Sequence, residues 1–188
     1  AVDRETGAEK WRFESGDVII AYPAADAAHV FIANMSGLIV ALDGATVDAS
    51  GAANGGTVYL GGGVQGAYAG FGAAGFTTVS ANSVVNANST GTGKGGTVVV
   101  WGSQQSEFYG RINARGGAKG GDGGFVEVST GEGVVFDGLV DTTAKKGLTG
   151  TLLIDPATVT IGNAASSPDG SYLNAQAIAD TLGLTHVN

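Results

Sequence analysis

The chain has 188 residues, of which 34 are glycine, only 3 are proline and none is cysteine; 43% are hydrophobic and the formal net charge is -8. Collagen, which needs a strict Gly-X-Y period and abundant proline, is excluded, as are disulfides, thiolate metal centres, cysteine nucleophiles and general disorder. The nine Lys and Arg are scattered without a run, so no nucleic-acid partner is expected, and no stretch approaches the ~20 apolar residues of a membrane span, so no membrane insertion is expected.

Residues 1–43 open with Asp3, Arg4, Glu5, Glu9 and Lys10, which interrupt any leader-like apolar run, and contain Trp11 and Phe13. From residue 44 onward a short pattern recurs four times: a β-branched aliphatic with Asp or Asn, a turn of small residues, a glycine and an alternating strand. The copies run from Val47-Asp48-Ala49 to Gly56-Thr57-Val58-Tyr59-Leu60 and from Val85-Asn86-Ala87 to Gly96-Thr97-Val98-Val99-Val100. The others run from Ile112-Asn113-Ala114 to Gly124-Phe125-Val126-Glu127-Val128 and from Val140-Asp141-Thr142 to Gly150-Thr151-Leu152-Leu153-Ile154. The unit is about 27 residues long. A repeat of this size marks a solenoid, in which each unit buries its apolar face only against its neighbours.

Short strands are expected before each aliphatic, at Ile39–Leu42, Thr77–Ser80, Glu107–Tyr109 and Val134–Phe136. Two or three short strands per unit is the rhythm of a parallel β-helix coil, so the fold class is all-β, a β-solenoid. Within the strand after the glycine, Glu127 sets direction: an unpaired charge does not enter a core. Val58, Leu60, Val98, Val100, Val126, Val128, Leu152 and Ile154 therefore point inward, and Tyr59, Trp101 and Phe125 outward. The first interval is longer than the others by about a dozen residues, and the excess is Val64 to Phe76. This stretch is expected to leave the side of the rod as a loop, the usual place for function in such arrays.

Asn163 to Asn188 departs from the pattern. Leu173, Ala177, Ile178 and Leu182 have helical spacing, Asn174 is placed to cap the start and Gly183 to end it. Thr185 to Asn188 then reads as the start of a further strand. The expected organisation is a non-repeat N-terminal β segment at 1–43, coils at 44–162 with a lateral insertion at 64–76, and a loop, short helix and beginning of a further coil at 163–188.

Site chemistry is sparse. Asp48, Asn86, Asn113 and Asp141 share one repeat position and read as turn residues bonding their own backbone, as do Asp122, Asp137 and Asp155 in or beside Gly/Pro turns. Retaining glycosidase chemistry needs two carboxyls about 5 Å apart, and no pair is singled out. His29 and His186 lack ligand spacing, and Gly121-Asp122-Gly123-Gly124 occurs once, without the tandem repetition of calcium-binding nonapeptides. No catalytic residue, metal or cofactor is therefore expected. Tyr59, Trp101 and Phe125, with Tyr68, Phe71 and Phe76 of the insertion, are candidates for an aromatic contact surface. Alternatively the insertion folds down and covers them, which its apolarity favours.

Residues ~38–182 resemble the filamentous haemagglutinin and high-molecular-weight adhesin family of Gram-negative bacteria. The resemblance rests on Val47-Asp48-Ala49-Ser50-Gly51, Gly95 to Trp101, Phe108 to Gly117, Gly121 to Ser129 and Gly150 to Ile161, in that order. It implies a right-handed parallel β-helix stalk, secreted by a two-partner route and displayed on the bacterial cell surface. Residues 1–43 resemble a single repeat of the quinoprotein-like β-propellers: Ala1 to Phe13 looks like the family's Trp-docking motif, while Tyr22-Pro23-Ala24, Val30-Phe31-Ile32 and Gly37 to Asp43 fit its later strands. A propeller closes only with about 4–8 blades, so no propeller and no quinone site follow.

The expected function is that of a non-enzymatic structural or adhesive segment, binding a host or neighbouring-cell surface protein or glycan. The alternatives are a self-assembling extracellular filament subunit, joined end to end, and a carbohydrate-binding or polysaccharide-active β-helix.

Overall fold

A computed structural model describes residues 44–67, 73–162 and 171–188, together with the backbone of three short strands before them. Those three, β1 (Ala24–Ala25), β2 (Val30–Ala33) and β3 (Ile39–Val40), pair antiparallel in the order β1-β2-β3. A short strand is expected at Ile39–Leu42; β3 forms there over Ile39–Val40, pairing antiparallel with β2 and lying near β6.

The rest of the described chain is all-β, built on three parallel sheets with one short helix. The first sheet holds β4 (Thr46–Asp48), β7 (Val84–Asn86), β10 (Arg111–Asn113) and β13 (Leu139–Asp141). The second holds β5 (Thr57–Leu60), β8 (Thr97–Gly102), β11 (Phe125–Thr130), β14 (Thr151–Asp155) and β17 (His186–Val187). The third holds β6 (Phe76–Val79), β9 (Gln105–Phe108), β12 (Gly133–Phe136), β16 (Tyr172–Asn174) and β15 (Ile161–Gly162). The chain visits the three sheets in one fixed order, so each of β4 to β11 pairs with the strand three places later.

Register turns the repeats into ladders. Val47, Val85, Ile112 and Val140 align across the first sheet. Val58, Val98, Val126, Leu152 and Val187 align across the second, and Val79, Phe108, Phe136 and Leu173 across the third. These side chains meet in one core, where the Phe108 and Phe136 rings pack tilted by 43° with centroids 5.3 Å apart. The inward assignment of the aliphatic face therefore holds. Side-chain period 2 makes it self-reinforcing, because a one-residue slip would turn a whole ladder outward.

The repeated glycine has a packing reason. A Cβ at Gly96 would stand 2.0 Å from the carbonyl oxygen of Gly56, and one at Gly124 2.1 Å from that of Gly96. The strands after these glycines begin with hydrogen bonds to those carbonyls, Thr97 N to Gly56 O and Phe125 N to Gly96 O, both 3.0 Å. At the corner between the second and third sheets a hydroxyl recurs: Thr77 Oγ1 donates to Trp101 O and Ser106 Oγ to Ser129 O, both at 2.6 Å. Each ties a side chain of the third sheet to the backbone of the second.

The helix α1 spans Ala175–Leu182, with Asn174 Oδ1 accepting from Gln176 N and Ala177 N, and Gly183 at its C-cap, as the spacing predicts. It lies against β13, where a further first-sheet strand would otherwise pair. Val140 N reaches Thr181 Oγ1 and Thr142 N donates to Leu184 O. The chain then returns to the second sheet as β17.

The Asp/Asn position is more varied than expected. Asp48 Oδ1 and Asp141 Oδ1 accept from their own backbone two residues on, Ser50 N at 2.9 Å and Thr143 N at 3.0 Å. Asn113 Nδ2 instead donates to Asn86 Oδ1 at 2.9 Å, so the two inner members bridge strands rather than close turns. Parallel register places identical amides side by side there, and an amide both donates and accepts.

Candidate functional site

The outer face of the second sheet carries the candidate aromatics. Register places Tyr59, Val99, Glu127 and Leu153 in one row and Trp101, Ser129 and Asp155 in the next. Tyr59 is 39% exposed, Phe76 at the start of β6 is 52% exposed, and Trp101 and Phe125 are half-buried. Tyr68 and Phe71 lie outside the described residues. The structure therefore brings Tyr59, Trp101 and Phe125 onto one sheet face and sets Phe76 on a neighbouring sheet.

Part of this face is roofed. After β5 the chain turns at Gly61 and forms a 3-10 turn, Val64–Gly66, lying on β8 and β11. The first part of the insertion thus folds down rather than projecting sideways. Glycine permits the approach: a Cβ at Gly62 would stand 2.6 Å from Trp101 Cδ1, and one at Gly66 2.6 Å from Trp101 Cε2. Gln65 adopts φ 50 and ψ 32, the single positive-φ non-glycine residue among those described. Such a conformation costs of order 1–3 kcal/mol and persists only where surroundings enforce it.

Beneath the roof sits Glu127. It points outward as the strand alternation predicts, yet it is not exposed: its solvent-accessible surface is 0%. Val99, beside it on β8, is also fully covered. Gln65 N donates to Glu127 Oε1 at 2.9 Å. Glu127 Oε2, Ser129 Oγ and Trp101 Nε1 are buried without a hydrogen-bond partner. Burial pushes the Glu127 carboxyl above its ordinary value of 4.5, against the Gln65 N–H and the nearby Ser129 hydroxyl, and the charge of Asp155 adds to the rise. Ser129 is close enough to favour the charged form without completing a hydrogen bond. Chemically, this is a covered group able to take up and release a proton.

The signal for it lay in the sequence as one acidic residue in an otherwise uncharged strand face, combined with a glycine-flanked insertion. Nothing in the spacing linked Gln65 to Glu127, which stand 62 positions apart.

A separate concavity of about 410 Å³ opens between the third sheet, the first sheet and α1, with Tyr109, Arg111, Asp137, Asn174, Gln176 and Asp180 among its lining. Burial raises the Tyr109 phenol above its ordinary 10.0, and the charges of Glu107 and Asp137 act in the same direction. Gln176 Nε2 holds Asp180 Oδ1 at 2.7 Å. Among the described residues no three of His, Asp and Glu gather as metal ligands, and no helix is long and apolar enough to cross a membrane. No protein-family model and no curated protein matches the chain.

Proposed function

We propose that the chain is a structural, adhesive segment of a secreted or surface-displayed bacterial haemagglutinin-like adhesin, its three sheets being the faces of a right-handed parallel β-helix stalk. The observation that carries this reading is the fixed order in which the chain visits three parallel sheets, with aliphatic ladders in register. In such a stalk the ladder hydrogen bonds run along the axis and each coil adds ~4.8 Å of length. Stiffness follows because bending must break contacts in three sheets together. The role is display: an acidic rod with an aliphatic core holds contact regions for a host or neighbouring-cell protein or glycan away from the membrane.

Two globular markers fused to the ends of the 44–162 region within the full chain test the mechanical half. Electron microscopy is expected to find one narrow separation, and a broad distribution of separations would refute a stalk. Immobilised chain retaining host cells or glycans above an equally acidic control tests the adhesive half; equal retention would remove it.

A carbohydrate-binding role is the second reading. The concavity beside Tyr109 and Arg111 favours it, since sugars are held by an aromatic wall with planar polar groups at the rim. Binding on a glycan array that Tyr109→Ala abolishes would support this reading, and an array without signal would remove it.

A further inference from the structure

We propose that the turn 144–148 is a processing site for a trypsin-like serine protease, and that the cut chain stays together as one folded unit. The inference is independent of the adhesin reading.

The described residues include Lys94, Arg111, Arg115, Lys119, Lys145 and Lys146. The first four have their backbone N–H held by a neighbouring strand or turn. Lys94 N donates to Asn54 Oδ1 at 3.0 Å and Lys119 N to Gly91 O at 3.1 Å. Arg115 N donates to Asn88 Oδ1 and Arg111 N to Ser83 O, both at 3.0 Å. The carbonyls of Lys94 and Arg115 also accept, from Gly55 N and Ser89 N at 2.9 Å. A protease acts on backbone that has come free of its neighbours, so each of these sites must first open locally.

Lys145 and Lys146 differ. They lie in the connection from β13 to β14, which is tied to the preceding turn near its two ends. At one end Thr143 O accepts from Gly116 N at 2.9 Å. At the other Leu148 O accepts from Gly123 N at 2.8 Å, and Leu148 N donates to Asp122 Oδ1 at 3.0 Å. Between these ties, among the described residues, no neighbouring strand or turn holds the N–H of Lys145, Lys146 or Gly147. All three residues are exposed, and Leu148 beside them is 76% exposed. Nicking concentrates at exposed turns whose backbone is not anchored. A lysine ammonium there matches the carboxylate at the base of a trypsin-type specificity pocket. The step is hydrolysis: water adds across the Lys145–Lys146 or Lys146–Gly147 peptide bond. The carbonyl carbon takes the hydroxyl and the departing nitrogen takes the proton.

The severed piece is retained because its contacts do not run through the turn. β14 pairs with β11, β16 pairs with β12, and α1 lies against β13. Leu152 and Leu173 sit in the shared core, and the buried hydroxyl of Thr142 donates to that of Thr185 at 2.6 Å. Cleavage thus exchanges a covalent link for a ladder link.

Limited digestion of the native full chain with trypsin tests this. Residues 147–188 contain no Lys or Arg, so the piece beyond the cut survives intact. Mass spectrometry is expected to show a piece beginning at Lys146 or Gly147 about tenfold sooner than cuts after Lys94, Arg111, Arg115 or Lys119. That factor corresponds to the one or two backbone hydrogen bonds each of those sites must lose, since cleavage follows the population of the opened state. In native gel filtration the piece is expected to co-elute with the rest of the chain and to separate in denaturant. Lys145→Gln combined with Lys146→Gln should remove the early cut and leave the other rates unchanged. Cutting after Lys145 or Lys146 no faster than at the other four sites would overturn the proposal. So would an early cut that survives the double substitution, or a piece that elutes alone under native conditions.

Discussion

Gly124→Ala tests whether stacked glycine carbonyls set the spacing between strands. The added methyl would stand 2.1 Å from Gly96 O, 2.8 Å from Gly95 C and 3.0 Å from the Ala114 Cβ, all parts of the packed interior with no flexible side-chain end to swing away. Real contacts need more than 3 Å, so β11 must move about an ångström away from β8 at its first residue. That displacement strains the Phe125 N to Gly96 O bond of 3.0 Å and the Gly124 N to Ala114 O bond of 2.7 Å. Two weakened backbone hydrogen bonds cost about 1–3 kcal/mol together, and overpacking costs about 1–3 kcal/mol. The expected destabilisation is about 2–6 kcal/mol, read as a fall in urea midpoint at unchanged slope. Gly183→Ala is the matched control: its Cβ would meet only Asp180 O, at 3.8 Å, and its φ is -72. A change of less than about 0.5 kcal/mol there is expected, the ordinary range for surface substitutions. If Gly124→Ala were no worse than Gly183→Ala, close approach would not be the reason for the repeated glycine.

Phe136→Ala removes one ring of the tilted aromatic pair at the core and is expected to cost about 3–5 kcal/mol by chemical denaturation; a loss near that of a surface mutation would contradict the ladder. Asn174→Ala deletes both capping bonds of α1 and should cost ~1 kcal/mol, with helix amides exchanging faster and those of β11 unchanged. Burial pushes Asp141 up, but Thr143 Oγ1, Thr143 N and the Arg115 guanidinium outweigh it and hold the carboxyl below 3.8. Its contribution is therefore present above 3.8 and lost as pH falls through the lower folded value. Asp141→Asn should flatten the decline of urea midpoint between about pH 5 and about pH 2, and an unchanged decline would refute the assignment.

Much of this architecture was legible in the chain. Alternation in Val58 to Leu60, Val98 to Trp101 and Phe125 to Val128 indicated strands and their inward face, because side chains of a strand alternate sides whatever they pack against. Asn174 and Gly183 bounded α1 because capping is local chemistry. The strand at Ile39–Val40 was legible but its antiparallel pairing was not, since a short aliphatic strand carries no mark of the direction in which its partner runs. The inner Asn pair misled for a related reason: an amide closing its own turn and one bridging to the next strand have the same sequence context.

What the sequence by itself determined is the repeat, the strand-rich class, the aliphatic ladders and the helix limits, all of which depend on residues near one another in the chain. Only the tertiary structure decided which strands pair, that α1 takes the place of a first-sheet strand, and that Gln65 closes over Glu127. Exposure belongs to whatever lies above a side chain, and that neighbour here comes from 62 positions away. The outward direction of Glu127 was therefore readable, and its burial was not.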